Sequence, residues 1–179
     1  RQMCIRDRKK VYVSLDWGNA DEINIVCGKY EIEKIGHEVV EIRQRKDLDG
    51  IDGIILPGGE STVQGQLLRK LDMLATIKSL IADGLPTLAT CAGLILLAKQ
   101  IDGGIPCFSV MDIRVKRNAY GRQLGSFFTD DRFGGSERIP MTFIRAPYIE
   151  SVGNNVEVLS IVDSNIVAAQ QDNMLVTAF

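Results

Sequence analysis

Two short loops carry residues that could act on an acyl group. In Thr90-Cys91-Ala92-Gly93, a predicted strand runs straight into Cys91 and a predicted helix begins directly after it. A tight strand-to-helix turn of this kind lifts the side chain above the sheet, and the helix N-terminus favours the thiolate. Cys91 is therefore a candidate nucleophile, although a buried structural role is the commoner fate of a cysteine.

The second loop, Leu56-Pro57-Gly58-Gly59-Glu60-Ser61, also follows a predicted buried strand and opens a helix. The two glycines let the backbone approach a ligand closely, and N–H groups near a helix N-terminus stabilise negative charge. Taken alone, this motif fits a plain β–α turn with a capping serine better than a ligand site. Together, the two loops place a thiolate opposite backbone donors, which is the arrangement that acyl transfer requires.

The elements that position these loops follow from the apolar pattern. Strands are predicted at 11–15, 39–42, 51–56 and 87–90, and a helix capped by Ser61 or Thr62 runs towards Gly84. Its apolar face carries Leu67, Leu71, Leu74, Ile77 and Ile81. A weak helix is predicted at 22–35 and an apolar helix at 94–100. Further strands are predicted at 113–116, 143–146, 156–161, 166–169 and 174–179. This order predicts an α/β domain with a mostly parallel central sheet and additional antiparallel strands.

Bulk properties exclude several classes of protein. A chain of 179 residues with 45% hydrophobic residues is long enough for one domain with its own core. The net charge of −2 gives no reason to expect a nucleic acid or a membrane as partner. The absence of a long apolar run predicts a cytoplasmic protein. Cys4, Cys27, Cys91 and Cys107 are widely spaced, so neither a metal site nor a disulfide framework is expected.

Four motifs together resemble a known family. They are Leu56 to Thr62, Thr90 to Lys99, Arg117-Asn118-Ala119-Tyr120-Gly121-Arg122-Gln123 and Phe143-Ile144-Arg145-Ala146-Pro147. In this order they are similar to the glutaminase subunit of pyridoxal 5′-phosphate synthase, the PdxT/SNO family of class I glutamine amidotransferases. The resemblance covers roughly residues 36–179. It implies a flavodoxin-like three-layer fold and an enzyme that needs no cofactor.

The resemblance also implies an activity and a set of roles. L-Glutamine would be hydrolysed to glutamate and ammonia through a thioester on Cys91, and the ammonia would pass to a barrel-shaped synthase subunit that makes pyridoxal 5′-phosphate. Gly58, Gly59 and Ala92 would hold the oxyanion. Six residues would bind glutamine: Gly59, Glu60, Ser61, Arg117, Ile144 and Arg145. An acid and arginines suit a ligand that carries both an ammonium and a carboxylate.

Three features depart from the family pattern. The family places its catalytic His and Glu in an S-F-H-P-E segment, whereas this sequence stops at Phe179. We therefore expect residues 11–179 to be an amidotransferase domain that is incomplete at its C-terminus and has little activity as given, and residues 1–10 to be a disordered leader. Leu15-Asp16-Trp17-Gly18 stands where the family has an apolar strand and Gln-Gly. Ala89 replaces a usual glycine two residues before the nucleophile.

Two alternative functions remain open at this stage. The chain could be a non-catalytic partner that binds the synthase or glutamine without turnover. It could also be a cysteine-based sensor or hydrolase on the same scaffold, with Cys91 as an oxidisable thiol. The motifs around Arg117 and Arg145 argue against the sensor. The single histidine, His37, follows Gly36 at the start of an early strand, where a surface position is expected.

Overall fold

The computed structural model describes residues 10–13, 32–34, 36–117, 126–135, 137–144 and 146–179. The predicted leader apart from Lys10, the Leu15–Gly18 stretch and most of the predicted helix at 22–35 lie outside these residues. Within that helix, residues 32–34 are helical.

The described strands and helices take the following bounds in chain order. The strands are β1 (Lys10–Val13), β2 (Glu38–Val40), β3 (Gly53–Leu56), β4 (Thr87–Thr90), β5 (Ala98–Ile101), β6 (Met111–Lys116), β7 (Ser126–Phe133), β8 (Glu137–Ile144), β9 (Tyr148–Val152), β10 (Glu157–Val162), β11 (Asn165–Gln171) and β12 (Met174–Thr177). The helices are α1 (Ser61–Lys70), α2 (Leu74–Ala82) and α3 (Ala92–Leu97), with a short 3-10 helix at Arg45–Leu48.

One large sheet organises the described chain, in the order β2-β1-β3-β4-β12-β11-β9-β6-β5 with β10 paired to β11. The first four strands and β12 are parallel neighbours. The pairs β11–β12, β9–β11, β6–β9 and β10–β11 are antiparallel. The mixed α/β architecture predicted from the sequence, with antiparallel strands in the second half, is confirmed.

Side chains along the central strands alternate between the two faces of the sheet. Leu56 of β3 is aligned with Ala89 of β4 and, through it, with Val176 of β12, and all three are fully buried. The predicted burial of β3 on both faces is only half correct, because Ile55 on the opposite face stays partly exposed. The buried row packs with α1 and α3 in the core, so these helices are fixed relative to the strand ends.

The long helix predicted after Gly59 is wrong in one respect, because it is two helices. α1 ends at Lys70, and Asp72 adopts a left-handed conformation with φ of 54°. The N–H of Met73 then bonds to the carbonyl oxygen of Leu68 at 2.9 Å, a Schellman-like closure of the helix end. Met73 becomes fully buried and α2 starts anew. Periodicity missed the break because the apolar pattern continues in both helices.

A second correction concerns residues 94–100, which were predicted as one helix. α3 ends at Leu97, and Ala98 turns to extended backbone with ψ of 137°. Residues 98–101 form β5, which pairs in parallel with β6. All six residues of α3 are buried, so no polar face marks where the helix ends.

The hairpin of β7 and β8 forms a separate two-stranded sheet, and the sequence predicted only its last residues. Its register pairs Asp130 with Pro140. Proline cannot donate to a ladder, but among the described strands β8 is paired with β7 alone, so the missing donor is tolerated there. Charged residues and a proline hide the strand pattern in this segment. β9 was also missed.

No helix in the described part of the chain is long and apolar enough to cross a membrane.

Candidate active site

The backbone at Cys91 has the sharp turn that the sequence predicts. Cys91 follows β4 directly, caps α3, and adopts φ of 48° and ψ of −101°. A non-glycine residue in this region is strained, and such strain collects at functional sites. The Cys91 N–H donates to the carbonyl oxygen of Thr177 at 2.8 Å, so the end of β12 holds the turn in place. Cys91 is half-buried.

Gly93 explains how α3 can start so close to the sheet. A Cβ atom at this position would lie 2.1 Å from the carbonyl oxygen of Leu56 and 2.9 Å from its Cβ. Real Cβ atoms do not approach backbone this closely, so only glycine fits without a shift. The end of β3 and the start of α3 are therefore in direct contact.

The diglycine loop lies beside the cysteine. A Cβ atom on Gly58 would be 3.6 Å from the Cβ of Cys91, which is ordinary van der Waals contact. Gly59 adopts φ of 123°, which strongly favours glycine. Ala92 is the first residue of α3 and is 1% exposed. The structure thus brings together the three residues expected to hold an oxyanion and the candidate nucleophile.

Glu60 is the N-cap of α1, where the sequence predicted Ser61 or Thr62 instead. Its carboxylate accepts from the N–H of Thr62 at 3.2 Å and from that of Val63 at 2.8 Å. A carboxylate is favoured here because it satisfies two unpaired donors near the positive end of the helix dipole. Ser61 is the first residue of α1 and is buried.

Arg117 directly follows β6, and its side chain contacts the N-terminus of α1, which we call the Glu60–Arg117 corner. Its Nη2 lies 3.3 Å from Oε1 of Glu60 and 3.3 Å from Oγ1 of Thr62. Burial alone would raise the pKa of the Glu60 carboxyl. The backbone donors of Val63 and Thr62, the Thr62 hydroxyl and the Arg117 charge outweigh burial and hold that pKa below its usual value. The corner therefore presents a cation and an anion together.

Ile144 is the last residue of β8 and is 58% exposed, while Arg145 lies outside the described residues. An aromatic cluster joins this strand to the end of β12. The ring of Phe143 stacks on Phe127 at 4.5 Å and meets Phe179 edge-on at 5.6 Å. Phe179 follows Thr177, which accepts from Cys91, so the hairpin is connected to the Cys91 turn.

Two residues of this site were not among the predicted ones. Thr62 accepts from Arg117, as described above. Gln64 of α1 is 4% exposed, and its Nε2 lies 2.9 Å from the carbonyl oxygen of Gly58. A signal was available for Gln64, since it is a polar residue one turn before buried Leu68 on the same helix face.

His37 lies at the amino-terminal ends of the parallel strands, on the opposite side of the sheet from the ends where the two candidate loops lie. It lines a cavity with Asp52, Gly53, Pro86 and Thr87, at the start of β3 and β4, whereas Cys91 follows the end of β4. The four residues of β4 span about 13 Å, which separates the start of this strand from the Cys91 turn at its end. This placement keeps His37 away from Cys91.

The comparisons with known proteins decide the family. The SNO glutamine amidotransferase family matches residues 25–179. This chain belongs to that family. The prediction of a glutamine amidotransferase, made from four motifs, is therefore confirmed.

Relatives of the family and a solved structure agree with this assignment. Pyridoxal 5′-phosphate synthase subunit PdxT of Methanocorpusculum labreanum is 56% identical over 149 residues, which are 83% of this chain and 79% of the relative. PdxT of Desulfitobacterium hafniense (strain DSM 10664 / DCB-2) is 52% identical, covering 83% and 75% of the two chains. A crystal structure of a glutamine amidotransferase has a TM-score of 0.84 at 33% identity, covering 95% of this chain and 88% of the other.

A more distant structure shows the fold alone. A glutamine amidotransferase from Thermotoga maritima has a TM-score of 0.64 at 13% identity, covering 96% of this chain and 74% of its own. The predicted class I amidotransferase fold is thereby confirmed for the SNO chain described here.

Proposed function

We propose that this SNO-family chain hydrolyses L-glutamine through Cys91 and supplies ammonia to a pyridoxal 5′-phosphate synthase subunit. The strained Cys91 turn in contact with Gly58 is the observation that carries the proposal. The names of the PdxT relatives support the synthase as partner.

The chemistry at Cys91 proceeds in two steps. The thiolate sulfur attacks the side-chain amide carbon of glutamine, and the carbon–nitrogen bond then breaks to give a γ-glutamyl thioester and ammonia, which takes up the proton that the thiol lost. Water next attacks the thioester, which releases glutamate and restores the thiol. Each attack places negative charge on the former amide oxygen, and backbone N–H groups of Gly58, Gly59 and Ala92 are the proposed donors to it.

The amino-acid end of glutamine fits the corner formed by Glu60 and Arg117. Glu60 is two residues from Gly58, so the two Cα atoms are at most about 7.6 Å apart. Both contacts of Arg117 described above use Nη2. A guanidinium has five N–H donors, so the same group can also bind a ligand carboxylate. Glu60 is placed to attract the α-ammonium, and Ser61, Ile144 and Arg145 complete the proposed pocket.

The test is glutamate release, in the presence of the synthase subunit, by this chain extended with the family's His-Pro-Glu segment, because little activity is expected without the His and Glu of that segment. Cys91→Ser should abolish release, because an alcohol is a far weaker nucleophile than a thiolate. Cys107→Ser is the matched control, since Cys107 is also half-buried and burial raises the pKa of its thiol. Release that survives Cys91→Ser would overturn the proposal. Oxidation at Cys91 with no glutamine turnover in the wild type would instead favour a sensor.

A further inference from the structure

Gln64 is a buried polar side chain in contact with the diglycine loop. Its Nε2 donates to the carbonyl oxygen of Gly58 at 2.9 Å and lies 3.5 Å from that of Pro57. Both neighbours are acceptors, so the amide nitrogen, not the amide oxygen, must face the loop. At 4% exposure, Gln64 makes these contacts from the protein interior.

These contacts set the direction of the neighbouring N–H groups. The described chain contains no cis peptide bond. In a trans peptide the carbonyl and the next N–H point in opposite directions. Holding the Gly58 carbonyl toward Gln64 therefore turns the Gly59 N–H away from Gln64. Gly59 has no side chain to restrain it, so the loop needs an external contact to keep one orientation.

The same helix holds the loop at a second point. The Glu60 carboxylate is bonded to the first turn of α1, and the N–H of Gln64 donates to the Glu60 carbonyl at 3.0 Å. The segment between Pro57 and Glu60 is thus held from one side by α1 and packs on Cys91 from the other. A buried amide is costly unless it is bonded, and an apolar side chain would fill this position at lower cost. The choice of glutamine therefore points to a role in the loop.

We propose that Gln64 is a positioning residue that orients the Gly58–Gly59 peptide, so that its N–H faces the oxyanion formed at Cys91. This inference rests on the proposed glutaminase function. Gln64 does not touch the reacting atoms and acts through the loop.

The experiment compares Gln64→Met with Gln66→Met in the chain extended with the family's His-Pro-Glu segment, together with the synthase subunit. Methionine matches glutamine in size and cannot donate, and Gln66 is an exposed residue of the same helix. Loss of one well-placed oxyanion donor costs about 100-fold or more in kcat, so a misdirected donor should lower kcat at least about tenfold. The KM for glutamine should stay within about twofold, because the proposed contacts of its amino-acid end, with Glu60 and Arg117, do not involve the Gln64 side chain. Alkylation of Cys91 by iodoacetamide should keep its rate.

A second variant distinguishes loss of the hydrogen bond from a general packing defect. In Gln64→Glu, a protonated carboxyl can still donate to the Gly58 carbonyl, whereas an ionised one cannot. Its kcat should therefore fall more steeply with rising pH than that of the wild type, which a general packing defect would not produce. A kcat for Gln64→Met equal to that of Gln66→Met would overturn the inference, as would a pH profile of Gln64→Glu parallel to wild type. Turnover that persists in Cys91→Ser would overturn the proposed function instead.

Discussion

The carbonyl oxygen of Leu56 occupies the space that a side chain at position 93 would need. A Cβ on Gly93 would lie 2.1 Å from that oxygen. Because Leu56 ends β3 and Gly93 lies in the first turn of α3, this contact fixes the distance between the diglycine loop and the Cys91 turn. The closeness of the two loops therefore depends on one missing methyl group.

The first prediction concerns Gly93→Ala. The added Cβ must displace backbone, so the free energy of unfolding should fall by about 1–3 kcal/mol. Urea denaturation measures the change. Gly53→Ala is the matched control in β3, since its Cβ would sit 3.4 Å from the carbonyl oxygen of Pro86, an ordinary contact. Its effect should stay below about 1 kcal/mol. Equal losses in the two variants would contradict the role assigned to the Leu56 contact.

The second prediction concerns backbone strain at Cys91. Strain of this kind is worth about 1–3 kcal/mol, and glycine relieves it because it lacks Cβ. Glycine also loses about 0.5–1 kcal/mol relative to alanine through chain entropy. Cys91→Gly should therefore unfold with a free energy about 1 kcal/mol higher than Cys91→Ala. The comparison removes the same sulfur from both variants, so chemical denaturation isolates the effect of φ.

Cys107 supplies the control for that comparison. It is not among the non-glycine residues with positive φ. Cys107→Gly should accordingly be less stable than Cys107→Ala, the reverse of the order at Cys91. If Cys91→Gly were also less stable than Cys91→Ala, the Cys91 turn would store no strain.

The sequence predicts the Cys91 turn well because local signals agree there. Thr87 to Thr90 is a short run with the observed bounds of β4, limited by Pro86 on one side and by the turn on the other. A strand of this kind between two breakers leaves little freedom of register. The diglycine loop and the Cys91 turn both follow parallel strands, so the topology of the sheet brings them together at the carboxyl ends of those strands.

Other features depend on contacts that local patterns do not encode. The left-handed residue Asp72 splits one predicted helix because Met73 gains a fully buried position. The β7–β8 hairpin contains Pro140 and is stabilised by aromatic contacts with the distant residue Phe179. Glu60 caps α1 although serine and threonine follow it, and its carboxylate also accepts from Arg117, which directly follows β6. In each case a tertiary contact overrides the local preference.

The third prediction concerns the pH dependence of stability. The folded environment lowers the pKa of the Glu60 carboxyl, so over the window between its folded and unfolded pKa values the unfolded chain binds more protons. Its contribution is present above the unfolded pKa of about 4.3 and is lost as the pH falls through the lower folded value. The free energy of unfolding should drop more steeply on acidification in the wild type than in Glu60→Gln.

Arg117→Met refines that test. It removes the charge that helps to lower the Glu60 pKa but leaves the backbone donors of Thr62 and Val63 in place. Its acid slope should lie between those of the wild type and Glu60→Gln, as measured by denaturation from about pH 6 to about pH 3. Parallel curves for all three proteins would contradict the assigned hydrogen bonds.

The last prediction concerns the aromatic cluster at the end of β12. Phe143 is fully buried between Phe127 and Phe179, so Phe143→Ala should lower the free energy of unfolding by about 3–5 kcal/mol. Phe128 neighbours Phe127 on β7 but is 63% exposed, and Phe128→Ala should cost less than about 1 kcal/mol. Because Phe179 lies two residues beyond the Thr177 carbonyl that holds Cys91, Phe143→Ala should also change the rate of Cys91 alkylation by iodoacetamide, whereas Phe128→Ala should not. An unchanged rate in Phe143→Ala under conditions where it remains folded would show that the hairpin stabilises the fold without positioning the Cys91 turn.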